Sequence, residues 1–102
     1  MTVTPKKMYA DVPPTENSAV AYTVPSQKKA IVKNIVICNT SDSPATVNIW
    51  VSGFAVVSVY TVAARDTVVI DSSIVMDEGD TITIRQGTAD AIAVHISGVE
   101  VV

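Results

Sequence analysis

His95 is the only histidine in the chain, and general-base chemistry or metal ligation would have to begin with it. It stands between Val94 and Ile96, where alternate residues are apolar, so its side chain points away from them. A lone imidazole with no cysteine or carboxylate pair beside it is a poor metal ligand or triad member. His95 therefore reads as an exposed or subunit-interface residue. Asp77, Glu78 and Asp80 cluster around Gly79. Calcium favours carboxylate oxygens, but the cluster lacks the longer alternating spacing of a dedicated calcium loop and reads as a solvated turn. Cys38, the one cysteine, lies in an apolar run, so there is no intrachain disulfide and no thiolate metal set. It is expected to be a buried structural thiol. Serine and threonine abound, but none stands in a nucleophile elbow, and no glycine loop is built to cradle phosphate. The expectation is a protein with no catalytic residues, no metal and no cofactor: not an enzyme.

Residues suited to recognition are more visible. Thr46 to Val51 alternates, with Val47, Ile49 and Val51 one way and Thr46, Asn48 and Trp50 the other. Trp50 thus falls on the outward parity, and Tyr60, in a segment of weaker alternation, is grouped with it. Outward aromatics mark a partner or subunit interface, a sugar platform, or a sheet face covered by another part of the chain. The leader adds Lys6, Lys7, Met8 and Tyr9 as a second candidate contact: two cations to meet acidic surface and two apolar side chains to fill a shallow pocket.

The elements that must position these residues are strands. The chain has 102 residues, 48% of them hydrophobic, and contains no leucine. Valine and isoleucine dominate, and β-branched side chains fit a pleated surface better than a packed helix. Strands are expected over 20–24, 29–38, 46–51, 54–62, 67–70 with Ile74 and Met76 continuing the apolar trace, 81–85 and 91–102. Lys33 and Asn34 interrupt the second, which predicts a bulge or an edge contact. Turn chemistry fills 39–44, 77–80 and 86–90, with Gly79 suited to a left-handed backbone. Inward positions include Ile82, Ile84, Ile92, Val94 and Ile96. Turns every 8–12 residues or so predict a single antiparallel β-sandwich or barrel of jelly-roll or Greek-key type.

Pro5, Pro13 and Pro14 set residues 1–18 apart as an extended N-terminal arm on a sandwich over 19–102, an arm whose removal would leave the domain folded. Net charge is −3 but unevenly placed: residues 1–33 carry five lysines against two acids, and 34–102 carry two arginines against eight acids. This reads as a mildly acidic domain with a basic leader, or as an acidic body whose basic arm docks on an acidic neighbour. Lysines and arginines form no stripe interleaved with aromatics, so no nucleic-acid partner is expected. There is no apolar signal core after Lys6 and Lys7 and no run of about 20 apolar residues, so neither export nor a membrane partner is expected. The chain is expected to be made in a cytoplasm. Apolar residues on both parities of 29–38 and 54–62 exceed what one thin sandwich buries, which predicts a homo-oligomer.

The order of Tyr22-Thr-Val-Pro25, Lys29-Ala-Ile-Val-Lys-Asn-Ile35, Cys38-Asn-Thr-Ser41, Gly79-Asp-Thr-Ile82 and Ile96-Ser-Gly-Val-Glu100 resembles small virion structural proteins of tailed bacteriophages. The resemblance covers residues 20–102. It implies a non-enzymatic virion component, commonly a trimer, that binds other virion proteins. The expected role is a capsid decoration (cement) protein on the head, with the major capsid protein as partner. The alternative is a tail- or fibre-associated host-recognition module binding cell-surface polysaccharide. The resemblance brings no catalytic residues.

Overall fold

A computed structural model describes residues 2–102 as eight strands: β1 (Val3–Asp11), β2 (Ala19–Thr23), β3 (Lys29–Asn39), β4 (Ala45–Val51), β5 (Phe54–Val62), β6 (Thr67–Met76), β7 (Thr81–Gln86) and β8 (Ile92–Val101). They form two four-stranded antiparallel sheets, β1-β8-β3-β6 and β2-β7-β4-β5, packed as an all-β sandwich. The pairings are nested. β1 pairs with β8, β2 with β7, β3 with β6, and β4 with β5.

Period-two alternation sets the core. Val47, Ile49 and Val51 of β4, Ile82 and Ile84 of β7, Ile35 and Ile37 of β3, and Ile92, Val94 and Ile96 of β8 are all buried between the sheets. The expected break in β3 is a bulge: the register shifts between Val32 and Asn34 against both neighbours, Lys33 being the extra residue against β8, while on the β6 side it faces two residues, Ser72 and Ser73. Opposite it Ser72 donates from Oγ to the Val32 carbonyl at 2.8 Å, and β6 continues through Ser72 and Ser73 to Met76. Gly79 adopts φ +83° and donates its N–H to the Val24 carbonyl.

The leader corrects the expectation of an arm outside the sandwich. It is extended, but residues 3–11 form edge strand β1, paired along β8 from Val3↔Val101 to Asp11↔Val94. The register shifts between Lys7 and Tyr9, and the bulged residue, Met8, is buried. Its methyl group occupies the space over Gly98, where an added Cβ would lie 2.8 Å from Met8 Cε and would collide with the Ile31 carbonyl. Proline is tolerated here because β1 is an edge. Residues 12–18 are tied down as well. The fully buried Gln86 donates its side-chain amide to the Pro13 carbonyl at 2.5 Å and its backbone N–H to the Pro14 carbonyl at 3.0 Å, and accepts from the Ile92 N–H at 2.8 Å. Arg85 Nε donates to the Thr15 carbonyl at 2.7 Å.

Candidate interaction surfaces

The residues flagged for chemistry do not converge. His95 is exposed on the outward parity of β8. Each carboxylate of the 77–80 turn has a protein donor. Lys29 Nζ lies 2.5 Å from Asp77 Oδ1, the Gln27 N–H and the Ser26 hydroxyl donate to Glu78, and the Asp77 N–H donates to Asp80 at 2.9 Å. Among the described residues no three histidines, cysteines or acids gather as a metal would require. Cys38 is half-buried and opposite Ala93 on the outer face of its sheet, so it is not the buried core thiol expected.

The recognition residues are dispersed too. Trp50 is half-buried on the outer face of β2-β7-β4-β5, in a row with Val20, Thr83 and Ala55. Tyr60 pairs with Val47, whose side chain points into the core, and directly opposite residues share a face. Tyr60 therefore lies on the other side of the sheet, at its β5 edge, and the two rings make no common platform. On β1, Met8 is core and Tyr9, opposite Ile96, is half-buried against it. Lys6 and Lys7 remain exposed, Lys7 opposite Ser97 on the outer face.

Two exposed apolar surfaces stand out instead. The first is the outer face of β1-β8-β3-β6, which register divides into rows crossing all four strands. Pro5, Val99, Ile31 and Val75 form one row. Ala10, His95, Val36 and Val69 form another. Between them runs a polar row of Lys7, Ser97, Asn34 and Asp71, in which Asn34 Nδ2 donates to Asp71 Oδ1 at 3.0 Å. Val69 and Val75 are 59% and 62% exposed, too open for residues of a covered face. The outer parity of β2-β7-β4-β5 is far more polar, with Thr46, Asn48, Thr61, Thr83 and Arg85.

The second surface is edge strand β5. Phe54 is 77% exposed, and Val56, Val59 and Tyr60 are exposed beside it. The strand is bulged against β4, and Val59 is held at φ +43° with its N–H donating to Asn48 Oδ1 at 2.6 Å. A β-branched residue in that region is strained. The bulge twists the edge, which discourages pairing with a stray strand while leaving the side chains open to a partner.

Sequence reasoning missed one internal site, the buried carboxylate of Glu100. Tyr22 Oη donates to its Oε2 at 2.5 Å and Lys28 Nζ lies 3.3 Å from its Oε1. The Tyr22 hydrogen bond, helped by Lys28 and Lys6, holds the Glu100 carboxyl below the usual range, against the opposing effect of burial. Burial, with the carboxylate beside it, pushes the Tyr22 hydroxyl up. The signal was present: Glu100 shares the inward parity of Val94 and Ile96.

No protein-family model, no curated protein and no solved structure matches this chain.

Proposed function

We propose that this chain is a non-enzymatic virion structural protein of a tailed bacteriophage, a jelly-roll decoration protein that binds and stabilises the capsid shell. The observation that carries the reading is the pair of exposed apolar surfaces on different sheets of one small sandwich, the striped outer face of β1-β8-β3-β6 and the β5 edge. A subunit adhesive on two sides can bridge neighbours, and many modest contacts repeated around a shell act together through effective concentration. The nested pairing of β1 with β8, β2 with β7, β3 with β6 and β4 with β5 supports the jelly-roll type, in which one long folded-over hairpin is wound into two sheets. The order of sequence segments supports the virion class.

In this reading Phe54, Val56 and Tyr60 meet the shell, most naturally the major capsid protein, and the sandwich is the rigid body that carries them. Copy number in purified particles tests it. A copy number comparable to that of the major capsid protein is expected. A small multiple of the tail's symmetry would move the protein to the tail or fibre, and absence from the particle would end the reading.

A further inference from the structure

We propose that the outer face of β1-β8-β3-β6 binds a second copy of this chain, face to face, about a two-fold axis parallel to the strands. Lys7 of each copy then meets Asp71 of the other. The association is a dimer, in place of the trimer that the family resemblance implies. It stands on the sheet face alone and does not depend on the virion reading.

Charge selects this arrangement. The polar row begins with Lys7 on β1 and ends with Asp71 on β6, so the two opposite edges of one face carry opposite charges. A two-fold axis along the strands lays β1 of one copy over β6 of the other. Both edges are then matched, and each apolar row lies on its own counterpart. Within those rows the protruding Val69 and Val75 of β6 fall over Ala10 and Pro5 of the partner's β1 strand, large against small. An axis across the strands would set Lys7 on Lys7 and Asp71 on Asp71, which like-charge repulsion forbids. Two further cations on the face have partners within the chain: Lys33 is engaged by the Ser73 hydroxyl at 3.2 Å and Lys29 is paired with the Asp77 carboxylate. His95 faces the partner's Val36.

Size is sufficient. Four strands about 4.8 Å apart, covered for about 25 Å of their length, bury on the order of 1,000 Å² over both copies, the lower bound of specific association. Sheets stacked this way lie about 10 Å apart and within about 30° of parallel, as in an ordinary sandwich.

The test uses the full chain in sedimentation velocity and light scattering up to about 100 µM, a range suited to an interface at the small end of the scale. The parent protein is expected as a dimer. Lys7→Asp and Asp71→Lys should each weaken self-association by about tenfold or more, because both contacts become repulsive. Mixed together, the two variants should pair again, since a heterodimer restores Lys against Asp at both positions. Thermal melts check that each variant is folded. Val75→Glu, at a solvent-facing position, gives an independent folded monomer. A monomeric or trimeric parent overturns the proposal. So does a mixture that fails to pair, or a folded Val75→Glu that dimerises as tightly as the parent.

Discussion

Met8 separates a leader that is a frayed arm from one that is part of the sandwich. The perturbation is Met8→Ala. If residues 1–18 were a tether, Met8 would be a surface residue, and its truncation would stay within about 0.5 kcal/mol of neutral. Instead it is 5% exposed, seated over Gly98 beside the buried face of β8. Truncating a buried methionine costs about 2–5 kcal/mol, and on an edge strand whose backbone can relax the lower half of that range applies, about 2–3 kcal/mol. At about 4–8 °C per kcal/mol for a domain near this size, the melting temperature should fall by about 10–20 °C. Such a loss is a large share of a net stability of about 5–15 kcal/mol. Thermal and urea unfolding at neutral pH provide the readout, with Thr2→Ala as the exposed control on the same extension. A Met8→Ala melt within about 3 °C of the control would refute the reasoning, since even about 1 kcal/mol shifts the midpoint further than that.

Two further outcomes follow from the polar contacts. The Glu100 carboxyl is lowered in the folded state, so its contribution is present above the unfolded value of 4.5 and is lost as pH falls through the folded one. Tyr22→Phe removes a hydrogen bond to a charged group and should cost about 1.5–3 kcal/mol near neutrality. It should also flatten the acid limb of a stability–pH profile; an unchanged acid limb would show that Tyr22 does not hold the carboxylate. Gly79→Val should destabilise more than Asp77→Ala. Nothing lies within 4 Å of the added Cβ, so the cost is the φ of +83°, of the order of 1–3 kcal/mol. The Asp77–Lys29 pair is 69% and 64% exposed, so water screens it and its loss costs little. Equal melting temperatures would contradict this ordering.

Much of this fold is legible where one physical cause dominates. Val47, Ile49 and Val51 alternate because one face of β4 is buried, and the same rule places Ile82, Ile84, Ile92, Val94 and Ile96. Lys33 betrays the β3 bulge because a charge interrupting an apolar run suits the extra residue that a bulge leaves out of the ladder against β8. β1 is not legible, for a reason inherent in edges. It buries one residue in nine fully, its proline and lysines are what solvent-facing edges tolerate, and its partner lies at the far end of the chain. Gln86 is hidden for a similar reason: its acceptor at Pro13 is 73 residues away, and a glutamine closing a strand looks like turn chemistry. The phase of Tyr60 was lost to two irregularities in β5, which put Ala55 and Val57, two apart, on opposite faces and Val57 and Tyr60, three apart, on the same one.

The striped face belongs to a third kind of information, which exists only once register is known. Pro5, Val99, Ile31 and Val75 are scattered through the sequence, and antiparallel pairing alone makes them a row. The polar row between the apolar ones has a physical use. Two uniformly apolar sheets can slide past one another by a residue pair at little cost, because apolar contact is non-directional. Placing Lys7 and Asp71 midway along the face makes such a slip bury charge against valine, and a desolvated, unpaired charge costs far more than one apolar contact returns. The row surrenders some apolar area and in exchange fixes alignment. Opposite signs at opposite edges then leave one direction of stacking in which Lys7 and Asp71 meet.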